Sequence, residues 1–536
     1  MKEERSLRQS TFSTLVVMGT TFLSRILGFL RVAVIGAVFG GSGQADVLNL
    51  VFNIPNNLRK LLAEGALSSA FIPVLSGSLV RDPSGSKARL IVRNILTMQA
   101  IILLPLLLLL TLFAGPVVNT ILDFPDPEKQ ALSVELFRFL IHYLLPISIA
   151  AVIMGTLNAH SRFFVPAVTP VLFSISVIAS ILMLHRQLGI FSMAVGVLIG
   201  GVLQVLFQVP HFLRLGYTFR PQLDRSNSDF RRILRQWLPV VAAASIFTIN
   251  QQVAVFFASG LEDGSGSAMT NALTFWQLPF GIFSASITTV LFPRMSRQWN
   301  REDLDGLRRS VNYGLLYLFT LLLPAAVTLA LLGPEIIAVA LQRGAFAPQW
   351  TRLAARVLIG YTLGLFSVGA FTFLQRFFYA CDDYRTPLWV AGVAVVLDIG
   401  LSIYLKETRL RVVGLALANS IAFSVGLILM IIAARNRLGY LGLRELLTKG
   451  VRVLLGTLPL AAYLWAHRVF FGEWWITGSS WANLGRLVLV GVPGLGILLI
   501  SYYLLAVDVV RMVRRRAPEP PRSEPFNADD ENRNND

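Results

Sequence analysis

The sequence predicts an all-α polytopic membrane protein with about fourteen transmembrane helices, arranged as two six-helix lobes plus two C-terminal helices. Three observations support this fold class. The 536-residue chain is 54% hydrophobic and only 14% charged. Apolar segments of spanning length recur along almost the whole chain, and the two halves of the sequence resemble each other.

The apolar segments are long enough, with tilt and kinks allowed, to cross a hydrocarbon core of about 30 Å. The predicted spans are 11–40, 46–79, 91–117, 132–157, 163–185, 190–214, 233–260, 266–294, 309–333, 351–380, 386–405, 412–435, 447–470 and 482–511. The first span follows a basic N-terminal stretch, but it is long, contains two further arginines and has no convincing small-residue cleavage site. We therefore expect it to be retained as a helix.

An internal repeat relates the two halves at an offset of about 220 residues. FIPVLSGSL from Phe71 resembles LFPRMSRQW from Leu291, and LNAHSRFFVPAV from Leu157 resembles FYACDDYRTPLW from Phe378. The predicted units are an N-terminal lobe at 1–220, a C-terminal lobe at 221–440, two additional helices at 441–513 and a disordered cytoplasmic tail at 514–536. A cavity between the lobes is the expected substrate site.

The net charge of +17 comes from Lys and Arg in short connections rather than from one amphipathic face. Most of these cations lie in alternate connections, which the positive-inside rule places in the cytoplasm together with both termini. Two connections of the opposite set are acidic, at 123–128 and 262–263. Topology therefore explains the charge better than nucleic-acid binding does.

Signatures of enzymes, cofactors and metals are missing from the sequence. The five histidines form no metal-spaced pair, and there is neither a phosphate-binding glycine loop nor a nucleophile elbow. Cys381 is the single cysteine, so an intramolecular disulfide and a multi-cysteine metal site are excluded. We expect no catalytic residues, no metal site and no cofactor.

Ionisable residues inside the first two spans are the strongest functional signal, because such residues are costly in a membrane and usually face a polar cavity. They are Arg25, Arg31, Arg59, Lys60 and Glu64, with Asp46 at the start of the second span. Pro55, neighbouring asparagines and Gly65 predict that the second span is bent or broken. Arg59 and Lys60 could alternatively snorkel to an interface, but they lie well inside the segment.

Arginine suits phosphate because its planar fork binds two oxygens and stays charged. Arg25 and Arg31 are about 240° apart on an ideal helix. A kink near Gly28 would bring them together; otherwise each serves a different depth of the cavity. Asp46 and Glu64 either belong to the site or are structural partners of the arginines.

Weaker polar signals occur in later spans. Asp398 in the eleventh span is a candidate for holding a cation or a proton, and Asn250 in the seventh span is a further candidate for that site. For these residues, and for Gln204 and Gln208 in the sixth span, we favour the structural interpretation, in which they form hydrogen bonds between neighbouring helices.

Four motifs carry a family resemblance: SRILGFLR from Ser24, the Ala-Asp pair of Gln44-Ala45-Asp46, NLRKLLAEGALSSAFIPVLS from Asn57 and QLPFGIFSASITTVLFPRMS from Gln277. They resemble the MurJ (MviN) family of lipid II flippases, within the multidrug/oligosaccharidyl-lipid/polysaccharide exporter superfamily. The resemblance implies alternating access and transport of lipid II, an undecaprenyl-pyrophosphate-linked disaccharide pentapeptide, to the outer leaflet of the bacterial cytoplasmic membrane for peptidoglycan synthesis. Arg25, Arg31 and Arg59 match family arginines thought to meet the pyrophosphate, and Asp46 and Glu64 match nearby acids.

The chain departs from the family pattern at Val32, Thr274, Ala254 and Ala394, where many or some relatives carry charged or polar residues. The last two positions match part of a family sodium site, so sodium, protons and membrane potential all remain candidate drivers.

The resemblance also implies that the last two helices form a groove for the lipid tail. Membrane lipids and cell-wall synthesis proteins are the candidate further partners. Rival functions are export of another polyprenyl-linked oligosaccharide or a drug, and a non-transporting scaffold.

Overall fold

The computed structural model describes residues 2–60, 65–476 and 478–507, and all regular structure in these residues is helical. The helices are α1 (Lys2–Phe39), α2 (Gln44–Arg59), α3 (Gly65–Arg81), α4 (Ser86–Leu112), α5 (Ala114–Ile121), α6 (Pro127–Leu140), α7 (Leu144–Ala159), α8 (Phe164–Leu188), α9 (Phe191–Arg214), α10 (Ser228–Ser259), α11 (Ser265–Pro279), α12 (Ala285–Asn300), α13 (Leu304–Leu331), α14 (Gly333–Leu341), α15 (Pro348–Thr362), α16 (Leu365–Ala380), α17 (Arg385–Lys406), α18 (Val412–Leu438), α19 (Leu443–Phe471) and α20 (Ser480–Leu504). Glu64 and the tail predicted at 514–536 lie outside the described residues.

The predicted polytopic all-α fold is confirmed. Among the described residues, 11 helices are long and apolar enough to cross a membrane, or 12 if α15 and α16, bent by 46°, form one span. The other two predicted spans correspond to α2 followed by α3, and to α10. The 32 residues of α10 give a length of about 48 Å, enough to span a bilayer at a tilt.

The helices pack in two bundles. In the N-terminal bundle, α1–α9, helix α8 packs on α1 and α9, while α7 packs on α3, α4 and α9. In the C-terminal bundle, α11–α18, helix α18 packs on α15, α16 and α17. Glycine permits close approach in both: a Cβ on Gly196 would lie 2.8 Å from Val177 Cα, and one on Gly360 would lie 2.8 Å from Ala416 Cβ.

The two last helices form a hairpin against the outside of the C-terminal bundle. Helix α19 packs on α13 and α20, and α20 also packs on α14. The buried Tyr502 hydroxyl donates a hydrogen bond to the backbone oxygen of Thr320, at 3.1 Å, and thereby ties α20 to α13. A Cβ on Gly456 would lie 2.7 Å from the Tyr502 ring, so this glycine lets α19 and α20 meet closely.

Helix α10 lies between the bundles, since it packs on α2 and α3 on one side and on α17 and α18 on the other. An ion pair between Arg81 and Asp229, at 3.1 Å, joins the end of α3 to the start of α10. The bundles also meet directly where α2 packs on α11 and α1 packs on α14. These contacts determine which surfaces of the arginine-bearing helices remain accessible.

Candidate substrate cavity and interbundle contact

The three arginines predicted for substrate binding lie on two helices. Helix α1 continues through Gly28, so Arg25 and Arg31 lie on one uninterrupted helix. Helix α2 also continues through Pro55 and ends at Arg59, and the next described helix begins at Gly65. Pro55 therefore does not interrupt α2, and Arg59 and Lys60 directly precede residues 61–64, which lie outside the described part of the chain.

Arg25, Arg31 and Arg59 line one cavity of about 380 Å³. The remaining lining residues are Ser24, Gly28, Phe52, Asn56, Tyr143, Ile147, Ala150, Ala151, Met154, Thr169, Pro170, Phe173, Ser174, Gln204 and Gln208. All of them belong to the N-terminal bundle, whereas the sequence suggested a cavity between the lobes. The C-terminal bundle approaches the cavity at Arg25, because a Cβ on Gly281 would lie 4.0 Å from its Nη1 atom.

Aromatic side chains hold the guanidinium of Arg31. Its Cζ lies 5.1 Å from the centre of the Phe173 ring, within range of a cation–π interaction. The Phe173 ring in turn lies 5.4 Å from the ring of Tyr143, between α6 and α7. A partly buried arginine supported by aromatic faces retains its charge and donors for a ligand in the cavity.

Asn56 orients Arg59. Its Oδ1 atom accepts hydrogen bonds from Arg59 Nε at 3.2 Å and from Arg59 Nη2 at 3.0 Å. Because Asn56 lies three residues before Arg59 on α2, both side chains lie on the same face of the helix. Asn56 was predicted only to weaken the helix with its neighbouring asparagines, although its spacing from Arg59 also indicated this hydrogen bond.

Lys60 and Asp46 lie elsewhere in the structure. Lys60 is exposed and is not among the residues lining the cavity, and its backbone N–H caps α2 by bonding the carbonyls of Asn56 and Asn57. Asp46 is only 2% exposed and lies at the contact between the bundles. Their participation in substrate binding stays a prediction, as does that of Glu64.

Asp46 caps a helix of the other bundle. Its Oδ2 atom accepts a hydrogen bond of 2.9 Å from the backbone N–H of Gly264, and its Oδ1 atom accepts one from Ser267. Gly264 is the N-cap residue of α11 and Ser267 lies in its first turn, where backbone donors have no partner within the helix and a negative charge is favoured. The carboxylate therefore performs the role of a helix cap in trans.

The converse contact involves Gly43 and Asp263, which precede α2 and α11. The backbone N–H of Gly43 donates to Asp263 Oδ1 at 3.0 Å, and Asp263 also forms an ion pair with Lys129. Asn49 adds a side-chain hydrogen bond to Ser267 Oγ, at 3.0 Å. Gly43 and Asp263 are 220 residues apart, which equals the offset of the internal repeat. Corresponding segments of the two halves thus form this contact.

The ring of Trp350 packs against glycines from both bundles. A Cβ on Gly41 would lie 2.6 Å from Trp350 Cβ, and one on Gly264 would lie 2.5 Å from the ring. The backbone N–H of Ala345 also donates to the carbonyl of Ala37 at 2.9 Å. Gly41, Gly264 and Trp350 were missed by the sequence analysis, because no local pattern marks a tryptophan that packs on distant glycines.

A second polar cluster joins α10, α17 and α18 around Asp398. Its Oδ2 atom accepts hydrogen bonds from Asn250 Nδ2 at 2.8 Å and from Asn419 Nδ2 at 2.9 Å, while Ser402 Oγ lies 3.4 Å from Oδ1. The two residues proposed for an ion or proton site thus lie together, and Asn419 adds a partner that the sequence analysis missed. The arrangement links three helices. If the side-chain amides of Asn250 and Asn419 turned over, their oxygen atoms would lie beside Asp398 and could bind a cation.

Membrane-spanning helices in two bundles, with a cationic cavity inside one of them and a closed contact between them, define a multi-pass membrane transporter. The comparisons with known proteins identify its family.

The family model described as "Lipid II flippase MurJ" matches residues 35–485. A Borreliella burgdorferi protein named "Probable lipid II flippase MurJ" is 32% identical, over 94% of this chain and 99% of that protein. A Vibrio cholerae protein of the same name is 29% identical, over 90% of this chain and 94% of that protein. The chain belongs to the MurJ family of lipid II flippases, which are transporters and not enzymes.

Solved structures agree with this assignment. One titled "Lipid II flippase MurJ, inward closed conformation" matches with a TM-score of 0.75 and 25% identity, over 94% of this chain and 100% of that one. An inward-facing multidrug resistance MATE transporter of the MOP superfamily matches with a TM-score of 0.61 at 17% identity, over 79% of this chain and 98% of that one, which shows a common fold. The chain is a multi-pass protein of the inner membrane.

Proposed function

We propose that this protein moves lipid II from the inner to the outer leaflet of the cytoplasmic membrane by alternating access, and that Arg25, Arg31 and Arg59 bind its pyrophosphate. The observation that carries the proposal is the convergence of these three arginines on one cavity of about 380 Å³. Guanidinium groups bind phosphate oxygens in pairs and stay charged at any physiological pH.

The chemistry of a polyprenyl lipid supports this mechanism. Each CH₂ group of the tail contributes about 0.8 kcal/mol to partition into the bilayer, so the tail stays in the membrane while the headgroup crosses. A cavity of about 380 Å³ is of the size that holds a drug-sized ligand. It suits the diphosphate and the adjoining sugar, whereas the rest of the headgroup would extend past Arg25 towards the C-terminal bundle.

Alternating access requires the bundles to separate at one end and approach at the other. The contact between Asp46 and the start of α11 supports a closed state at the end that the positive-inside rule places outside, with both termini in the cytoplasm. Lipid II release then requires this contact to open. Its hydrogen bonds exchange with water, which limits the free-energy cost of opening.

For the energy source, we propose coupling through Asp398 with Asn250 as partner, by binding a cation such as sodium or by taking up a proton. The hydrogen bonds of Asp398 to α10 and α18 support this, because a change in its charge would alter the packing of three helices. Membrane potential is the alternative driver, worth about 2.3 kcal/mol per charge moved across 100 mV.

The test is replacement of the flippase in a bacterium that depends on a single one. Depletion of the resident protein should stop lipid II from reaching an impermeant lipid II-cleaving reagent outside, and expression of this chain should restore access. Arg31→Gln should abolish the rescue, whereas Arg186→Gln, an exposed change on α8, should retain it. Failure of the unaltered chain to rescue, despite normal membrane insertion, would contradict the proposal and favour a different lipid-linked substrate or a scaffold.

A further inference from the structure

Neutral polar side chains form a second part of the cavity wall. Gln204 and Gln208 lie one turn apart on α9, and Ser174 lies on α8. Gln204 is 6% exposed and Gln208 is 1% exposed. Since residues four apart share a face of a helix, both carboxamides are directed to the same side of α9.

These carboxamides have unused hydrogen-bonding capacity within the described part of the chain. Gln208 Nε2 donates to the backbone carbonyl of Gln204 at 2.9 Å, but Gln208 Oε1 accepts no hydrogen bond. The side-chain amide of Gln204 forms no hydrogen bond with any described residue. Buried polar atoms are almost always paired, so a ligand or a trapped water is the expected partner.

The carboxamides line the same cavity as Arg31. The guanidinium of Arg31 lies over the Phe173 ring, and a Cβ on Gly200 would lie 2.9 Å from that same ring. Gly200 is one helical turn before Gln204 on α9. A ligand whose anionic group meets Arg31 therefore shares its cavity with Gln204 and Gln208, so a neutral polar group of that ligand has these carboxamides as candidate partners.

We propose that Gln204 and Gln208 recognise the 2-acetamido group of the sugar attached to the diphosphate. This inference rests on the proposed function. An acetamido group has one N–H donor and one carbonyl acceptor, and a glutamine carboxamide offers the matching acceptor and donor once the Gln208 side chain turns its enclosed Oε1 towards the cavity. A second anionic group would have no cation beside Gln204 and Gln208. A sugar with a hydroxyl in place of the acetamido group would leave one carboxamide partly unpaired, and an unpaired buried polar group gives strong discrimination between ligands.

The experiment measures binding of three probes to the purified full-length protein: undecaprenyl diphosphate, the same lipid carrying N-acetylglucosamine, and the same lipid carrying glucose. We expect the acetamido lipid to bind roughly tenfold more tightly than the glucose lipid, as two hydrogen bonds allow. Gln204→Leu and Gln208→Met should each reduce this ratio by about threefold or more. Gln187→Leu, at an exposed position of α8, should keep the wild-type ratio.

Measurable binding of undecaprenyl diphosphate by each variant reports that it is folded. Equal affinity of the wild-type protein for the acetamido and glucose lipids would overturn the inference, as would a ratio unchanged in both glutamine variants. The proposed function fails in a different way, namely if Arg59→Gln leaves the binding of undecaprenyl diphosphate unaltered.

Discussion

The carboxylate of Asp46 accepts a hydrogen bond of 2.9 Å from the backbone N–H of Gly264, so that a residue of the N-terminal bundle caps a helix of the C-terminal bundle. The converse bond, from the Gly43 N–H to Asp263, joins positions that are 220 residues apart, the offset of the predicted repeat. Two positions separated by the offset of the predicted repeat thus meet in one contact, and the starts of α2 and α11 each supply both a carboxylate and a backbone N–H to it.

Asp46→Ala should weaken this closure, because two backbone donors of α11 lose their charged acceptor. We expect a shift of about 2 kcal/mol, or roughly thirtyfold, towards separated bundles. The measurement is the rate of maleimide labelling at Ala45→Cys, because Ala45 is fully buried and directly precedes Asp46. Labelling should be faster when Asp46→Ala is added, and Glu128→Ala, an exposed acid on α6, should leave the rate unchanged.

Gly41→Ala should disrupt the same contact by steric clash. The new methyl group would lie 2.6 Å from Trp350 Cβ, so the loop or the tryptophan must move. We expect rescue of a flippase-depleted strain to fall strongly, with membrane insertion retained. Gly115→Ala is the matched control, since nothing lies within 4 Å of its Cβ position. Full rescue by Gly41→Ala would show that close packing on Trp350 is dispensable.

Arg59→Gln should lower the affinity for undecaprenyl diphosphate by about 2 kcal/mol, because a charge-assisted pair of hydrogen bonds is lost. Arg59→Lys should give an intermediate affinity: lysine keeps the charge, but it lacks the planar fork that Asn56 orients. Binding to the purified protein is the measurement. Arg186→Gln controls for the general loss of positive charge, and equal affinities of all three variants would argue against Arg59 as a ligand of the diphosphate.

Asp398→Ala should destabilise the protein by about 2–3 kcal/mol, since the amides of Asn250 and Asn419 lose their shared acceptor in a buried site. Thermal unfolding in detergent measures this, with Asp305→Ala as an exposed control. If Asp398 belongs to a cation site, sodium should raise the thermal midpoint of the unaltered protein relative to potassium. The same exchange of ions should not raise the thermal midpoint of Asp398→Asn. An equal response of both proteins to sodium would place the ion elsewhere.

The contact between His160 and Tyr217 should make stability depend on pH. Burial lowers the pKa of His160 below its ordinary value of about 6.5, and the nearby charge of Arg162 lowers it further. The unfolded chain therefore binds the proton more readily, so stability is complete above about pH 6.5 and is lost as the pH falls towards the folded pKa.

Between about pH 7.5 and about pH 5.5, the thermal midpoint should fall more for the unaltered protein than for His160→Gln. Glutamine keeps a polar partner for the Tyr217 hydroxyl, which lies 2.8 Å from His160 Nε2, but it does not titrate. Gln187→Leu, at an exposed position of α8 that does not titrate, should retain the wild-type pH dependence. Identical profiles for the His160→Gln variant and the unaltered protein would assign the effect to other groups.

Hydropathy and the repeat predicted the helical fold, because membrane spans are determined by local apolar composition and length. The same local argument selected Arg25, Arg31 and Arg59, since charge inside an apolar segment is visible without any knowledge of packing. The family resemblance of the motifs around these residues is likewise a property of the sequence, and the comparisons confirm it.

Only the tertiary structure decided where these side chains go. Asp46 was selected with the arginines as an acid near them, yet its partners on α11 lie 218 and 221 residues away along the chain. The sequence placed the cavity between the lobes, whereas the arginines meet inside the N-terminal bundle, where α8 and α9 supply Phe173 and the two glutamines. Composition and periodicity report what each helix can bury, but the crossing of one helix on another determines which distant groups become its partners.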